Sequence, residues 1–325
     1  MNILIVSNEY DKVNRLGNPI IKRIIIALKN CSDVNSVIFE PFRNSISSFF
    51  RIRKVSKDVD CIHVQFGGIY AFLVWIFLLG INKPKLITFH GTDIHAKELL
   101  TTNSYLAKIR IKLNQYCSFF SVLTFDKVGF VSDSLLKYLP SYLLNKFKCK
   151  FFIQSLGVDY DSFTIISKEE ACSFLNIPLK KYVLFSDKSN TTLKRRDIAE
   201  AIVKLLGNDY ELLIMCGVTP DSVPYYINAC DFLLLTSDEE GSPNITREAL
   251  SLNKRVYSVN VGDVASQISG LNNSLIIDRN PAIASKQILT NLKLAYTDNS
   301  RELLKSRLDF KEIALSLVNV YKCLL

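Results

Sequence analysis

The chain has 325 residues, of which 48% are hydrophobic, and it carries 40 Lys and Arg against 31 Asp and Glu. This length and apolar content exclude a disordered chain and favour two domains, each with its own core. The eight cysteines show no CxxC spacing and no histidine near a cysteine pair, which argues for a reducing compartment and against a structural metal site. Met1-Asn2 runs directly into an apolar segment, so we predict no secretory leader and a cytoplasmic protein.

The positive charge is confined to the first half of the chain. Residues 1–160 contain 21 Lys and Arg against 11 Asp and Glu, a net charge of +10, whereas residues 161–325 contain 19 against 20, a net charge of −1. A basic surface attracts nucleic acid, an anionic bilayer or a phosphorylated acceptor, unless it only keeps the protein in solution. The sequence has no zinc finger, RNP motif or recognition-helix pattern, so we expect no nucleic-acid partner.

Strands and helices are predicted to alternate through this first half. Short apolar runs predict strands at 3–7, 36–39, 61–66, 86–89, 128–131 and 151–154. Apolar residues at helical spacing predict helices at 19–29 and 106–116. Such alternation is typical of a parallel sheet with right-handed crossovers, that is, of a Rossmann-like domain.

The most apolar stretch is IYAFLVWIFLLGI at 69–81. Its 13 residues fall short of the roughly 20 that span a bilayer. We predict a helix buried against the sheet. A surface that dips into lipid is the alternative.

Loops at the carboxyl ends of these strands are the expected ligand-binding positions. The first carries Gly17-Asn18, and the absence of GxGxxG argues against a dinucleotide site. His90 ends the strand at 86–89 and precedes Gly91, which makes it a candidate active-site residue, although a lone histidine is also compatible with a structural role. Asp93 would orient His90 or its loop.

The second half restarts the alternation, and we place the domain boundary at residue 160. Strands are predicted at 182–186, 211–216, 232–235, 255–259 and 274–277, and helices at 244–252, 281–296 and 301–325. The basic triplet Lys194-Arg195-Arg196 follows the first of these strands. The pattern predicts a second Rossmann-like domain over 161–325.

The segment DEEGSPNITREAL, between the strands at 232–235 and 255–259, has the features of an anion site. Ser242-Pro243 has the signature of a helix start, with Ser242 as N-cap and Pro243 at the first helical position. Backbone amides from Ser242 to Ile245 would then point at a ligand such as a diphosphate. Glu248, deeper in the helix, is suited to sugar hydroxyls. Alternatively, Glu240 and Glu248 are ordinary surface charges.

This segment resembles the C-terminal signature of family 4 retaining glycosyltransferases of the GT-B fold, commonly EGxPxxxxEA. The matching positions are Glu240, Gly241, Pro243, Glu248 and Ala249. KPKLITFHGTDI is similar to the family's motif around an active-site histidine, and LGVD at 156–159 is similar to its NGVD at the domain crossover, with Leu156 in place of the asparagine.

The resemblance implies an α/β protein with two Rossmann-like domains facing across a cleft, the last helix, about 301–325, packing back on the first domain. It implies that His90 faces the donor sugar, that Glu240 contacts that sugar and that Glu248 binds the ribose. Lys194 fits the family's phosphate-binding lysine, whereas Lys188 stands where an arginine is usual. The implied donor-binding residues are Gly17, Lys188, Lys194, Gly241, Ser242, Pro243, Asn244, Ile245 and Glu248.

We therefore expect a retaining, metal-independent glycosyltransferase that needs no cofactor and uses a nucleotide-sugar donor. The basic first half favours a polyprenyl-diphosphate-linked saccharide acceptor and peripheral contact with the anionic inner face of the plasma membrane, as in surface polysaccharide biosynthesis of the lipopolysaccharide O-antigen or capsule type. A sugar-nucleotide epimerase or hydrolase, or a non-catalytic saccharide- or nucleotide-binding protein, are the alternatives.

Overall fold

A computed structural model describes residues 1–7, 19–42, 45–96, 104–187, 192–295 and 299–325. The chain divides into two compact units. Met1–Leu156 and Phe310–Leu325 form the first, and Gly157–Asp309 form the second. All eight cysteines are unpaired.

The described strands of the first unit form one parallel sheet, as the alternating pattern predicts. They are β1 Asn2–Ser7, β2 Ser36–Pro41, β3 Cys61–Gln65, β4 Lys85–Phe89, β5 Lys127–Phe130 and β6 Phe151–Ile153. Their order across the sheet is β2-β1-β3-β4-β5-β6. Because helices cover both faces of such a sheet, its central strands are almost wholly buried, which explains why they are continuous apolar runs.

Helices follow most strands of this unit. They are α1 Pro19–Lys29, α2 Ile46–Val55, α3 Ile69–Phe77, α4 Tyr105–Thr124 and α5 Ser141–Phe147. The apolar stretch at 69–81 forms a helix as predicted, but the helix ends at Phe77, before Gly80 at φ +78°. Ala71 and Val74 are buried, so α3 belongs to the core. None of the helices in the described ranges is long and apolar enough to cross a bilayer.

The described strands of the second unit form another parallel sheet. They are β7 Lys181–Ser186, β8 Tyr210–Met215, β9 Phe232–Leu235, β10 Arg255–Ser258 and β11 Leu275–Ile276, in the order β11-β10-β9-β7-β8. The helices are α6 Lys168–Leu175, α7 Arg196–Leu206, α8 Val223–Ala229, α9 Asn244–Ser251, α10 Val264–Gln267, α11 Pro281–Leu292 and α12 Ser300–Leu308. Two α/β units with parallel sheets confirm the predicted fold class.

The sequence placed the boundary at residue 160, whereas the structure divides the chain after Leu156. Val158, Tyr160 and Phe163 already pack into the core of the second unit. The Arg301 guanidinium lies 4.4 Å from the centre of the Tyr160 ring and donates to the Tyr160 carbonyl at 3.0 Å. These contacts hold 157–160 in the second unit.

The single helix predicted at 301–325 is wrong, because the chain forms two helices there. Asp309 takes an extended conformation after α12 and pairs with Val158 in a parallel bridge. The final helix, α13 Phe310–Lys322, then belongs to the first unit and packs on α1. Only the second part of the predicted helix therefore lies on the first unit.

Candidate functional site

In the second unit, the residues just after β9 bind the segment 193–195, which precedes α7. The Thr236 hydroxyl donates to the carbonyls of Lys194 at 3.0 Å and Arg195 at 2.9 Å, and the Asp238 amide donates to the carbonyl of Leu193 at 2.8 Å. These bonds position the short helical turn Thr192–Lys194 beside the carboxyl end of β9. A lysine that lies 42 residues earlier in the chain than Thr236 is thereby brought to the β9–α9 loop.

Lys194 and Glu240 form an ion pair at this loop. Lys194 Nζ lies 2.5 Å from Glu240 Oε1, and the Ser237 hydroxyl donates to the same oxygen at 2.9 Å. The two side chains are 20% and 16% exposed, so the pair is largely sheltered from water yet still accessible. The structure thus brings together two residues that the sequence assigned to one site from separate motifs.

A second, largely buried ion pair fixes the backbone next to Glu240. Arg247 is 2% exposed, and its Nη2 lies 2.8 Å from Asp263 Oδ2. Arg247 also donates to the Ser242 hydroxyl oxygen, and that hydroxyl donates to Asp263 Oδ2 at 2.6 Å. Burial lowers the pKa of the Arg247 guanidinium, while the Asp263 carboxylate opposes this shift. Arg247 and Asp263 therefore act as one unit that holds Ser242.

The turn that carries Asp263 touches the Glu240-Gly241 backbone directly. Gly262 has φ +56°, a conformation that favours glycine. A Cβ atom at this position would lie 2.8 Å from the Gly241 carbonyl oxygen and 3.2 Å from that of Glu240. Only a residue without a side chain fits between the two turns, so Gly262 is part of the support of the loop.

The start of α9 differs from the prediction by one residue. Ser242 is not the N-cap; Pro243 occupies that position and the helix begins at Asn244. The physical reason is that the Ser242 side chain is engaged elsewhere: its oxygen accepts from Arg247 and its hydroxyl donates to Asp263, 21 residues along the chain. The first amides of α9 still have no partner within the helix, so the partial positive charge of the helix end remains beside Glu240 and Gly241.

Three of the remaining predicted donor-binding residues lie in α9. Asn244 and Ile245 are the first two residues of α9, and Glu248 lies half-buried in its second turn. Gly17 and Lys188 lie outside the described residues.

The first unit holds His90 in a fixed orientation at the carboxyl end of β4. His90 Nε2 lies 2.8 Å from Gln65 Oε1, and the Phe66 ring stacks on the imidazole with ring centres 4.0 Å apart. Because an amide oxygen only accepts, Nε2 carries the proton and Nδ1 has the lone pair. Burial lowers the pKa of His90 to about 3, so the imidazole is neutral at neutral pH.

Asp93 orients the loop around His90 through the backbone. Its carboxylate accepts from the amides of Gly67 at 2.8 Å, His90 at 3.0 Å and Gly91 at 2.8 Å. Burial raises the pKa of Asp93, and these three bonds oppose the shift. Phe66, which stacks on His90, has a positive φ of 72°, a strained conformation for a residue with a side chain. Such strain persists because the surrounding bonds hold the turn.

A buried polar network continues from Gln65 into the sheet. The Gln65 amide nitrogen lies 3.1 Å from His63 Nε2, and His63 Nδ1 lies 2.7 Å from the hydroxyl of Tyr321 in α13. His63 Nε2 also lies 2.8 Å from the Thr88 hydroxyl, which donates to Gln154 Oε1 at 2.6 Å. Burial, together with the nearby His90, lowers the pKa of His63 to about 3. The last helix is therefore connected to His90 through neutral hydrogen-bonded groups.

Comparison with known proteins gives matches in structure only. No family model matches the chain, and no curated protein matches it in sequence. Sucrose-phosphate synthase from Thermosynechococcus elongatus superposes with a TM-score of 0.75 at 16% identity, covering 100% of this chain and 99% of that one. Anabaena HepE in complex with UDP-glucose superposes with a TM-score of 0.72 at 14% identity, covering 100% of both chains. The catalytic domain of Arabidopsis thaliana starch synthase IV, bound to ADP and acarbose, gives 0.66 at 13%, covering 99% of both chains.

The chain has the GT-B fold. At these identities the likeness extends to the fold alone. Within this GT-B chain, the residues of the EGxP motif follow the carboxyl end of β9, and Lys194, predicted separately, pairs with Glu240 there. This is the edge of the sheet where ligands bind in open α/β structures. In the described residues, no three His, Cys, Asp or Glu side chains are grouped to hold a metal ion. Metal independence stays a prediction.

Sequence reasoning missed Gln65, His63 and Tyr321 in this GT-B chain. His63 and Gln65 are polar residues at alternate positions of the buried strand β3, where apolar residues are the norm. That alternation in the sequence indicates that one face of β3 carries polar side chains. Tyr321 gave no signal, because only the packing of α13 on the first unit brings it to His63.

Proposed function

We propose that the protein is a retaining, metal-independent glycosyltransferase that moves a sugar from a nucleoside-diphospho-sugar to a saccharide acceptor. The observation that carries the proposal is the sheltered Lys194–Glu240 pair beside the start of α9. A cation, a carboxylate and a helix N-terminus are there combined in one loop region. The cation and the helix N-terminus match the diphosphate leaving group of such a donor, and the carboxylate matches its sugar hydroxyls.

The donor diphosphate would take Lys194 from Glu240. A diphosphate carries more negative charge than one carboxylate, and the amides at the start of α9 add hydrogen-bond donors for it. Release from Lys194 leaves Glu240 as an acceptor for sugar hydroxyls. Glu248, one turn further along α9, binds the ribose hydroxyls. The Lys194–Glu240 ion pair is therefore replaced by two contacts with the donor, one from Lys194 to the diphosphate and one from Glu240 to the sugar.

The same groups stabilise the transition state. As the bond to the sugar breaks, negative charge grows on the diphosphate, and Lys194 with the helix amides stabilises that charge in place of a divalent cation. The sugar develops positive charge at the same time. We assign His90 to the sugar, because a neutral imidazole accepts a hydrogen bond through Nδ1 and adds no repelling charge.

The acceptor we propose is a polyprenyl-diphosphate-linked saccharide of surface polysaccharide biosynthesis, of the O-antigen or capsule type. The net charge of +10 over residues 1–160, against −1 over 161–325, supports an anionic acceptor and contact with the anionic inner face of the plasma membrane. This assigns a cytoplasmic, membrane-peripheral location to the protein.

Donor binding is tested first. The HepE structure holds UDP-glucose and the starch synthase IV structure holds ADP, so the screen includes uridine and adenosine diphosphate sugars as well as GDP and dTDP sugars. A ligand that binds the native state raises the melting temperature, and the rise grows with the logarithm of the ligand concentration over its Kd. We expect one nucleotide class to raise the melting temperature and Lys194→Ala to reduce that rise. Lys204→Ala, which removes an exposed lysine of α7, is the matched control.

Product analysis then tests the reaction. Incubation with donor and acceptor should give a glycoside whose anomeric signal in NMR has the configuration of the donor. With donor alone, the sugar nucleotide should persist. Conversion of the donor without acceptor would identify an epimerase or hydrolase. Donor binding without turnover on any acceptor would identify a binding protein, and inversion of the anomeric centre would exclude the retaining mechanism.

A further inference from the structure

Helix α4 of the first unit has a buried face and an exposed apolar face. One faces the protein, where Ser118, Ser121 and Val122 are buried. The other is exposed to solvent over the first three turns. Its residues expose large fractions of their side chains: Tyr105 76%, Leu106 77%, Ile109 47%, Leu113 51% and Tyr116 64%.

These exposed residues form one continuous surface. Tyr105, Ile109, Leu113 and Tyr116 are spaced by four, four and three positions, so they share one side of the helix. Single exposed hydrophobic residues are normal on a protein surface, whereas a contiguous apolar patch marks an interaction site. The outer face of α4 therefore needs a partner.

Basic residues border this surface on both sides. At about 100° per residue, Lys108 and Lys112 lie on one side of the apolar stripe and Arg110 lies on the other. All three are exposed. The sequence of α4, YLAKIRIKLNQYCSFFSVLT, contains no Asp or Glu. Within α4, the apolar stripe is thus bordered by positive charge alone.

We propose that this face of α4 is the surface by which the protein docks on an anionic phospholipid bilayer. Leucine and isoleucine side chains enter the acyl boundary, tyrosines lie at the headgroup level, and Lys108, Arg110 and Lys112 contact anionic headgroups. This inference does not depend on sugar transfer. It deepens the membrane contact of the proposed function by naming the surface that makes it.

Charge decides between a bilayer and the other occupants of such a face. A second copy of this chain would bring Lys108, Arg110 and Lys112 against the same three residues, and like charges repel. Protein interfaces are in general depleted in lysine. An anionic bilayer satisfies the apolar stripe and both basic borders together. The net charge of +10 over residues 1–160 adds attraction of the same sign.

The experiment is co-sedimentation of the full chain with vesicles of phosphatidylcholine alone or mixed with phosphatidylglycerol. We expect binding to the mixed vesicles that is about tenfold stronger than to neutral ones and that falls as salt is added. The variant Leu106→Ser/Ile109→Ser/Leu113→Ser should lower the partition coefficient about tenfold or more. Lys108→Gln/Arg110→Gln/Lys112→Gln should remove the preference for phosphatidylglycerol.

Matched variants in the second unit control for general loss of surface residues. Ile283→Ser/Leu289→Ser/Leu294→Ser removes three aliphatic side chains of 48%, 37% and 51% exposure, and Lys204→Gln/Lys286→Gln/Lys293→Gln removes three exposed charges. Both should bind as the unaltered protein does. Circular dichroism and melting temperature establish that each variant is folded.

The proposal is overturned if the unaltered protein ignores mixed vesicles or if the α4 variants partition as the controls do. It is also overturned if light scattering shows a dimer that the apolar triple variant dissociates while vesicle binding is unchanged. Donor binding measured on the same samples separates this result from the proposed function. A protein that docks on vesicles but binds no sugar nucleotide would contradict only the latter.

Discussion

The surroundings of Glu240 and of His90 use opposite physical means to hold a side chain. Around Glu240 the groups are charged: Lys194 pairs with Glu240, and the buried Arg247–Asp263 pair fixes the adjacent backbone. Around the His90 ring the hydrogen-bonded side chains Gln65, His63, Thr88 and Tyr321 are neutral, and burial lowers the pKa of both histidines to about 3. The Asp93 carboxylate there binds the backbone of the loop. Charged groups suit a ligand whose charge changes. Neutral, buried groups suit a side chain that must keep one orientation and one protonation state.

The largest effect is expected at the buried pair of the second unit. Asp263→Ala leaves the Arg247 guanidinium buried without a counter-charge, which should lower the free energy of unfolding by about 3–5 kcal/mol in urea titrations. Glu200→Ala breaks the exposed ion pair with Arg196 on α7 and should change the free energy of unfolding by about 0.5 kcal/mol or less. Equal effects of the two substitutions would mean that Arg247–Asp263 does not support the loop.

The next largest effect is expected on turnover. Glu240→Gln removes the carboxylate that we assign to the donor sugar and frees Lys194 from its ion pair. We expect kcat for sugar transfer to fall about 100-fold or more. The affinity for the free nucleoside diphosphate, which has no sugar, should be unchanged or higher. Glu239→Gln changes the neighbouring carboxylate of the same loop and should leave kcat within about twofold. Parallel loss of kcat and of nucleotide affinity would contradict the separation of roles.

Sequence reasoning succeeded where a chemical requirement is local. Glu240-Gly241 followed by Pro243 and Glu248 predicts a loop and a helix start. The apolar runs predict the parallel strands. It failed where a partner is remote. The Ser242 hydroxyl donates to Asp263 and does not cap α9. Asp309, where the last predicted helix divides in two, pairs with the distant Val158. His63 and Tyr321 are 258 positions apart. No local sequence pattern predicts the contact between them, because it forms only when α13 packs on the first unit.

The neutral network should make stability depend on pH. The folded pKa of His63 and of His90, about 3, lies below the ordinary value of 6.5, so the unfolded chain binds more protons as pH falls below 6.5. The stabilisation is complete above pH 6.5 and is lost as pH falls towards 3. Each histidine should contribute a slope of about 1.4 kcal/mol per pH unit in this window. His63→Asn should reduce the slope of the urea-derived free energy by that amount; an unchanged slope would show that His63 is already protonated in the folded protein.

The smallest effect is expected at the contact with the last helix. Tyr321→Phe removes one hydrogen bond to His63 and leaves Nδ1 buried, which should cost about 1–2 kcal/mol of unfolding free energy. Tyr142→Phe changes a tyrosine that is 64% exposed and should cost almost nothing. If both variants unfold at the same urea concentration, the hydrogen bond from α13 does not stabilise the network.

The account depends above all on Lys194 and the start of α9 as the site for the donor diphosphate. Calorimetric titration of the sugar nucleotide found in the screen, into the unaltered protein, Lys194→Ala and Lys204→Ala, tests this most directly. We predict one binding site per chain and a Kd that rises about tenfold or more in Lys194→Ala while Lys204→Ala leaves it unchanged. Equal affinity of all three proteins for the sugar nucleotide would contradict the assignment.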